Sequence, residues 1–352
     1  MEPEEYADLS FNNRAAHKPL SFRWLLHLFL FLLTLFTTTI AGVQWIGKDP
    51  FELGNFTLGL PYSVSILFIL GCHEFGHYFA ARSHDVDATL PYFIPFPPIP
   101  ILFQLFLNFG TFGAVIRTRT VVPSKKAMFD IGVAGPIAGF LACLLVLIIG
   151  FRTLPGPEYL KGIHPDYDFR LNAVPNTEGL PLSFGPSIAY VLLERLFTDS
   201  SQFVPPMSEM YHYPLLCVGW FGLFVTAMNL IPIGQFDGGH LIYTMFGEAH
   251  RKIARWAFYG LLLLAAPSLS DLILRSLLGF VTKQEVGQIV PLAQYSWSAW
   301  FLWALIAFYI VKLYHPPVPD ESPLDDNRMN IGWMCVGIFL VSFSFMPFSI
   351  AV

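Results

Sequence analysis

Seven stretches of this chain are apolar over the length of a bilayer crossing, at about 24–46, 58–82, 128–151, 213–235, 253–279, 294–312 and 331–350. Backbone amides in lipid have no water to bond, so each stretch must close its hydrogen bonds internally, as a helix. The expected fold is an all-α polytopic membrane protein with about seven transmembrane helices. Composition agrees. Hydrophobic residues make up 54% of the chain and charged residues 13%, where a soluble domain carries about 25% charged. Mean hydropathy is +0.55. The net charge of −5 comes without a basic block, so no nucleic-acid partner is expected and the lipid bilayer is. Cys72, Cys143, Cys217 and Cys335 form no CxxC pair and sit in or beside apolar runs; they read as small buried residues.

The first twenty residues are largely polar and start acidic (Glu2, Glu4, Glu5, Asp8). They match neither a signal peptide nor an Arg- and Ser-rich transit peptide, so the apolar run from Trp24 is expected to be a retained helix. With the N-terminus cytoplasmic, thirteen of the twenty Lys and Arg fall on the cytoplasmic side and seven on the other. That is the bias of the positive-inside rule. A bacterial inner membrane is the expected setting, with a thylakoid as the other.

Two connections differ from ordinary loops. Over 83–127, Leu90-Pro91-Tyr92-Phe93-Ile94-Pro95-Phe96-Pro97-Pro98-Ile99-Pro100 is too apolar for a solvated loop and too rich in proline for a helix. A short re-entrant or β-hairpin segment is expected there, with a strand over Gly110–Arg117. Segment 152–212 is the longest hydrophilic connection and is short for an added PDZ module.

The chemistry concentrates in the second apolar stretch. Gly71-Cys72-His73-Glu74-Phe75-Gly76-His77 carries two histidines four apart, which share one helix face and can reach one metal ion. Glu74 stands beside the first imidazole, where its carboxylate can hold a water. His and Glu reach this register by chance on solvated helices. Inside a membrane span each ionisable side chain costs about 3 kcal/mol, and a cluster of three calls for a partner. Catalytic zinc takes three protein ligands. The best third is Asp237, in Asn229-Leu230-Ile231-Pro232-Ile233-Gly234-Gln235-Phe236-Asp237-Gly238-Gly239-His240 at the end of the fourth stretch. Alone, a turn aspartate capping the next helix reads equally well; beside the first motif, the ligand reading prevails. With alternating crossings, both motifs lie toward the cytoplasmic end.

These two motifs, HExxH and Asn-x-x-Pro-x-x-x-x-Asp-Gly, resemble those of the site-2 protease family of intramembrane zinc metalloproteases. The nearest likeness is to the branch of chloroplast proteases named for ethylene-dependent gravitropism deficiency and yellow-green leaves. Pro91–Pro95, Gly113–Ile116 and Asp130–Pro136 add to that likeness, which covers about 58–250. The resemblance implies a three-helix catalytic core and one zinc per chain held by His73, His77 and Asp237. It further implies Glu74 as general base, Asn229 positioning substrate, and single-span membrane proteins as substrates. The organisation expected is a tail over 1–23, a first helix and connection over 24–57, the core over 58–250 and C-terminal helices over 251–352. One departure is Gly139, where many family members have an asparagine.

Gly132, Gly135 and Gly139 read as small residues that let helices approach. His84 and Asp85 fit a solvated helix end. His240 reads as either a neighbour of the site or interfacial, and His27 as facing a wet or protein interior. Two other functions share these features. A membrane di-iron oxidase also uses His-x-x-x-His, but the ten histidines include no adjacent pair. A transporter also uses broken helices with buried carboxylates, but no matched repeat is evident.

Overall fold

The structure is a computed structural model that describes residues 20–97, 108–170, 182–199 and 201–350. Four helical stretches are long and apolar enough to cross a membrane: Trp24–Trp45, Leu53–Ser83, Lys125–Arg152 and Asp237–Thr282. They comprise helix α1 (Leu20–Trp45), α2 (Leu60–Ser83) with its 3-10 lead-in (Leu53–Gly59), α3 (Lys125–Arg152), and α7 (Asp237–Phe246) running on into α8 (His250–Thr282). The remaining apolar stretches fall on shorter helices. These are α6 (Pro214–Asn229), α9 (Trp300–Ile306) with its π-helical end (Ala307–Val311), and α10 (Asp326–Ser342).

Local chemistry sets the helix boundaries. Ser124 and Asp325 accept the N-terminal amides of Ala127 and Arg328 at the starts of α3 and α10. Prolines open α2 and α6, where a missing amide costs nothing. Among its described residues the hydrophilic connection carries secondary structure. It holds α4 (Pro157–Ile163), β3 (Leu182–Phe184) and α5 (Ile188–Phe197), and β3 pairs antiparallel with β4 (Phe348–Ile350).

The expected hairpin segment contains β1 (Tyr92–Pro95) and β2 (Thr111–Val115), paired antiparallel with Tyr92 opposite Val115. Residues 98–107 between them lie outside the described residues. Polar bonds tie this segment to α1: Thr37 Oγ1 donates to Gly110 O at 2.7 Å, and Trp45 Nε1 donates to Asn108 O at 2.8 Å. Gly110 comes so close that a Cβ there would stand 2.4 Å from the Thr38 Cα. α1 is thus a buttress for the strand pair, and its threonines satisfy backbone carbonyls that lipid would leave bare.

α2, α3 and α6 form the centre of the bundle. Its aromatic core gathers Trp220, Phe221, Phe184, Phe151, Tyr190 and Phe348. The end of α1 meets the start of α2 at Gly42 and Gly59, and the end of α3 meets the start of α6 at Gly150 and Leu216. These four ends therefore lie at one end of the bundle. The HExxH half of α2 lies toward the other.

Candidate metal centre

α2 presents His73 and His77 one turn apart, with their Nε2 atoms 3.0 Å from each other. α6 ends at Asn229, and a tight turn over Leu230–Phe236 brings the chain back, so that Asp237 begins α7 facing α2. Asp237 Oδ2 stands 3.4 Å from both Nε2 atoms. The turn depends on Gly234, whose φ of +57° is left-handed and whose added Cβ would lie 1.8 Å from Lys312 O. Asp237 is the first residue of α7, where the helix N-terminus favours a negative side chain.

The three separations suit an ion. Ligand atoms 2.0–2.1 Å from a shared tetrahedral zinc lie about 3.3 Å apart, and the observed values are 3.0, 3.4 and 3.4 Å. His77 Nδ1 lies 2.7 Å from Ile131 O in α3. A carbonyl only accepts, so Nδ1 carries the proton and Nε2 presents its lone pair to the site. The residues present therefore fit a zinc ion.

Glu74 is 93% buried, on the same helix face. It opens on a cavity of about 590 Å³ shared with Ala114, Val115 and Ile116 at the β2 end, and with Gln235 and His240. The Asn229 carboxamide lies 3.4 Å from His73 Nε2. The structure thus brings His73, Glu74, His77, Asn229 and Asp237 together. Of the residues read as peripheral, His84 lies 2.8 Å from Asp130 Oδ2. His27 lies 3.0 Å from Pro91 O, holding the hairpin rather than the site.

The glycine stripe on α3 does more than bring helices close. A Cβ at Gly135 would fall 2.1 Å from His77 Nε2, one at Gly139 would fall 3.1 Å from His73 Nδ1, and one at Gly132 would fall 3.1 Å from His240 Cβ. Each glycine faces a different imidazole. Gly139 therefore borders His73, and the α3 backbone itself packs against that ring.

Sequence reasoning gave no role to His315, which reaches the cavity from the 312–318 loop beyond α9. Its Nδ1–H donates to Pro316 O, so its Nε2 accepts from His240 Nδ1 at 2.7 Å. Burial, then His240, pushes the His315 imidazole down to about 4, so it stays neutral and holds His240 with its bare Nε2. No spacing links residues 240 and 315. The hydrogen bonds from Gly234 N to Leu313 O and from Val318 N to Tyr243 Oη, with His315 stacked on Tyr243, bring them together.

A family description, peptidase family M50, matches residues 61–266, more than half of the 352-residue chain. The chain belongs to peptidase family M50. It is similar to the probable zinc metalloprotease EGY1, chloroplastic, of Oryza sativa subsp. japonica, with 29% identity over 64% of this chain and 38% of the relative. Similarity to EGY1 of Arabidopsis thaliana is 29% over 54% of this chain and 30% of that protein. For the probable zinc metalloprotease EGY2, chloroplastic, of the same plant it is 24% over 90% and 47%. The chain spans less than half the length of these curated relatives. No solved structure matches it.

Proposed function

We propose that this M50 member is an intramembrane zinc endopeptidase that hydrolyses peptide bonds of single-span membrane proteins within or beside the bilayer. The observation that carries the reading is the meeting of His73, His77 and Asp237 around one point, with the Glu74 carboxylate opening on the same cavity. One zinc bound there would supply Lewis acidity toward the scissile carbonyl and bring the pKa of water to about 7. Glu74 takes the proton from the attacking water and returns it to the leaving nitrogen. Asn229, beside His73, orients the substrate carbonyl. A substrate helix must unwind to expose a bond, and its freed amides need partners at membrane depth. The β2 backbone at Ala114–Ile116, on the cavity wall, offers them by strand addition.

We also propose that α6, α9 and α10 complete a set of about seven crossings, with the N-terminus on the cytoplasmic side of a bacterial inner membrane. The Lys and Arg distribution supports that orientation, and cysteine-accessibility mapping tests it. The names of the relatives are chloroplastic, so fractionation of the native membrane decides the setting.

The function is tested with the purified full chain, a fluorescently tagged single-span substrate and the Glu74→Gln variant. The expected result is cleavage by the parent chain and a loss of about 10²-fold or more in kcat for the variant, with zinc retained. Unchanged cleavage by the variant would remove Glu74 as the base. Cleavage that survives complete zinc removal would end the metalloprotease reading.

A further inference from the structure

At the opposite end of the bundle, outside the membrane-spanning helices, His164, Glu209 and His212 meet. His164 is the residue that ends α4. Glu209 precedes, and His212 closes, the 3-10 turn (Met210–His212) that leads into α6. The two Nε2 atoms stand 3.0 Å apart, and Glu209 Oε2 lies 3.4 Å from His164 Nε2 and 3.6 Å from His212 Nε2. At the first centre the corresponding distances are 3.0, 3.4 and 3.4 Å. Both triplets fit the edges of a zinc tetrahedron, about 3.3 Å each. An imidazolium–carboxylate pair would instead close to about 2.7–2.9 Å.

The correspondence extends to the surroundings. His212 Nδ1 lies 2.7 Å from Trp45 O, as His77 Nδ1 does from Ile131 O. The carbonyl fixes the proton on Nδ1, and Nε2 is left bare toward the cluster. Tyr159 Oη donates to the carbonyl of His212 at 2.8 Å and fixes the turn. Glu209 is 93% buried, and its Oε2, aimed between the imidazoles, accepts no hydrogen bond. An orphaned buried carboxylate oxygen costs several kcal/mol unless a cation meets it. Two imidazole nitrogens, one already without a proton, stand 3.4 and 3.6 Å from it, too far for a charged hydrogen bond.

We propose that His164, Glu209 and His212 bind a second zinc ion, a structural clip that joins α4 and the entry of α6 to the end of α1 through the Trp45 carbonyl. The ion is separate from the proteolytic centre and lies across the bundle from it. The fourth position faces solvent on the His164 side, where that side chain is 29% exposed. The donor set of two imidazoles and one carboxylate suits zinc and excludes magnesium or calcium, which take oxygen ligands.

The test uses the full chain carrying His73→Ala and His77→Ala, which removes the first triplet. The protein is stripped with a chelator and titrated with zinc chloride in detergent, and bound metal is counted by mass spectrometry. The expected result is one zinc per chain with an apparent Kd of about 1 µM or tighter, lost when His164→Ala and His212→Ala are added. No zinc bound at that level, or zinc retained after the second pair of substitutions, would overturn the proposal. The unmutated chain is a second measurement that needs no variant to fold. Two zinc ions per chain are expected, and a count that His164→Ala with His212→Ala does not lower would refute the clip. X-ray absorption at the zinc edge should then report nitrogen and oxygen ligands only, and a sulfur ligand would refute it equally.

Discussion

Gly135→Ala should unload the proteolytic centre while leaving the fold in place. The added Cβ would stand 2.1 Å from His77 Nε2, whereas ordinary contact begins near 3.4 Å. The ring must retreat by about 1.3 Å, and zinc tolerates only about 0.2 Å of error in a ligand distance. The imidazole can swing aside, so the backbone need not move, and alanine improves helix propensity by up to about 1 kcal/mol. Disturbing a group that merely orients a ligand costs 10–100-fold in metal affinity, so removing the ligand itself should cost more than about 100-fold. Gly139→Ala, with 3.1 Å to His73 Nδ1, needs a shift of about 0.3 Å and should cost roughly tenfold. Gly132→Ala meets only His240 Cβ and should leave zinc affinity unchanged. Cleavage of a single-span substrate, measured against buffered free zinc, gives the apparent affinity of each variant. Thermal melts monitor the fold. Equal zinc affinities for the three variants, or a Gly135→Ala protein that matches the parent, would refute the idea that α3 holds the imidazoles by leaving no room for a Cβ.

Three further outcomes follow from the same geometry. Asp237→Ala leaves two imidazoles and should abolish cleavage with at least a 100-fold loss of zinc affinity at that centre, read by competition with a chromophoric chelator. Gly234→Ala should lower the melting temperature and the cleavage rate together, since its Cβ would collide with Lys312 O and unseat the loop carrying His315; a normal rate would show that the loop is dispensable. Arg328→Ala removes the fork that donates to both oxygens of Asp130 at 2.9 and 2.6 Å. Because the pair is part-exposed, the loss should be about 1–2 kcal/mol in detergent denaturation, with zinc content unaffected.

Much of the core was readable because membrane depth makes polar residues conspicuous. His73, Glu74 and His77 sit in an apolar helix, and a carboxylate after a proline-broken helix end is the natural complement. The strand over Gly110–Arg117 was readable from β-branched residues after glycine. What escaped has a common cause. His315 reaches His240 through a loop seated on the Gly234 turn, and His164 reaches His212 across 48 residues of connection. Neither pair lies on one helix, so no period relates them. The glycines of α3 were readable as small, but which imidazole each one faces depends on the rotation of α3 against α2, which composition does not record.

His77 and Asp237 are 160 positions apart, and the turn that aims the carboxylate is propped by Lys312, another 75 residues on. A nascent chain that holds only its first three helices has two of the three ligands, His73 and His77, and lacks the carboxylate. The order in which the segments emerge therefore leaves the triplet open until the last third of the sequence supplies both the carboxylate and its prop.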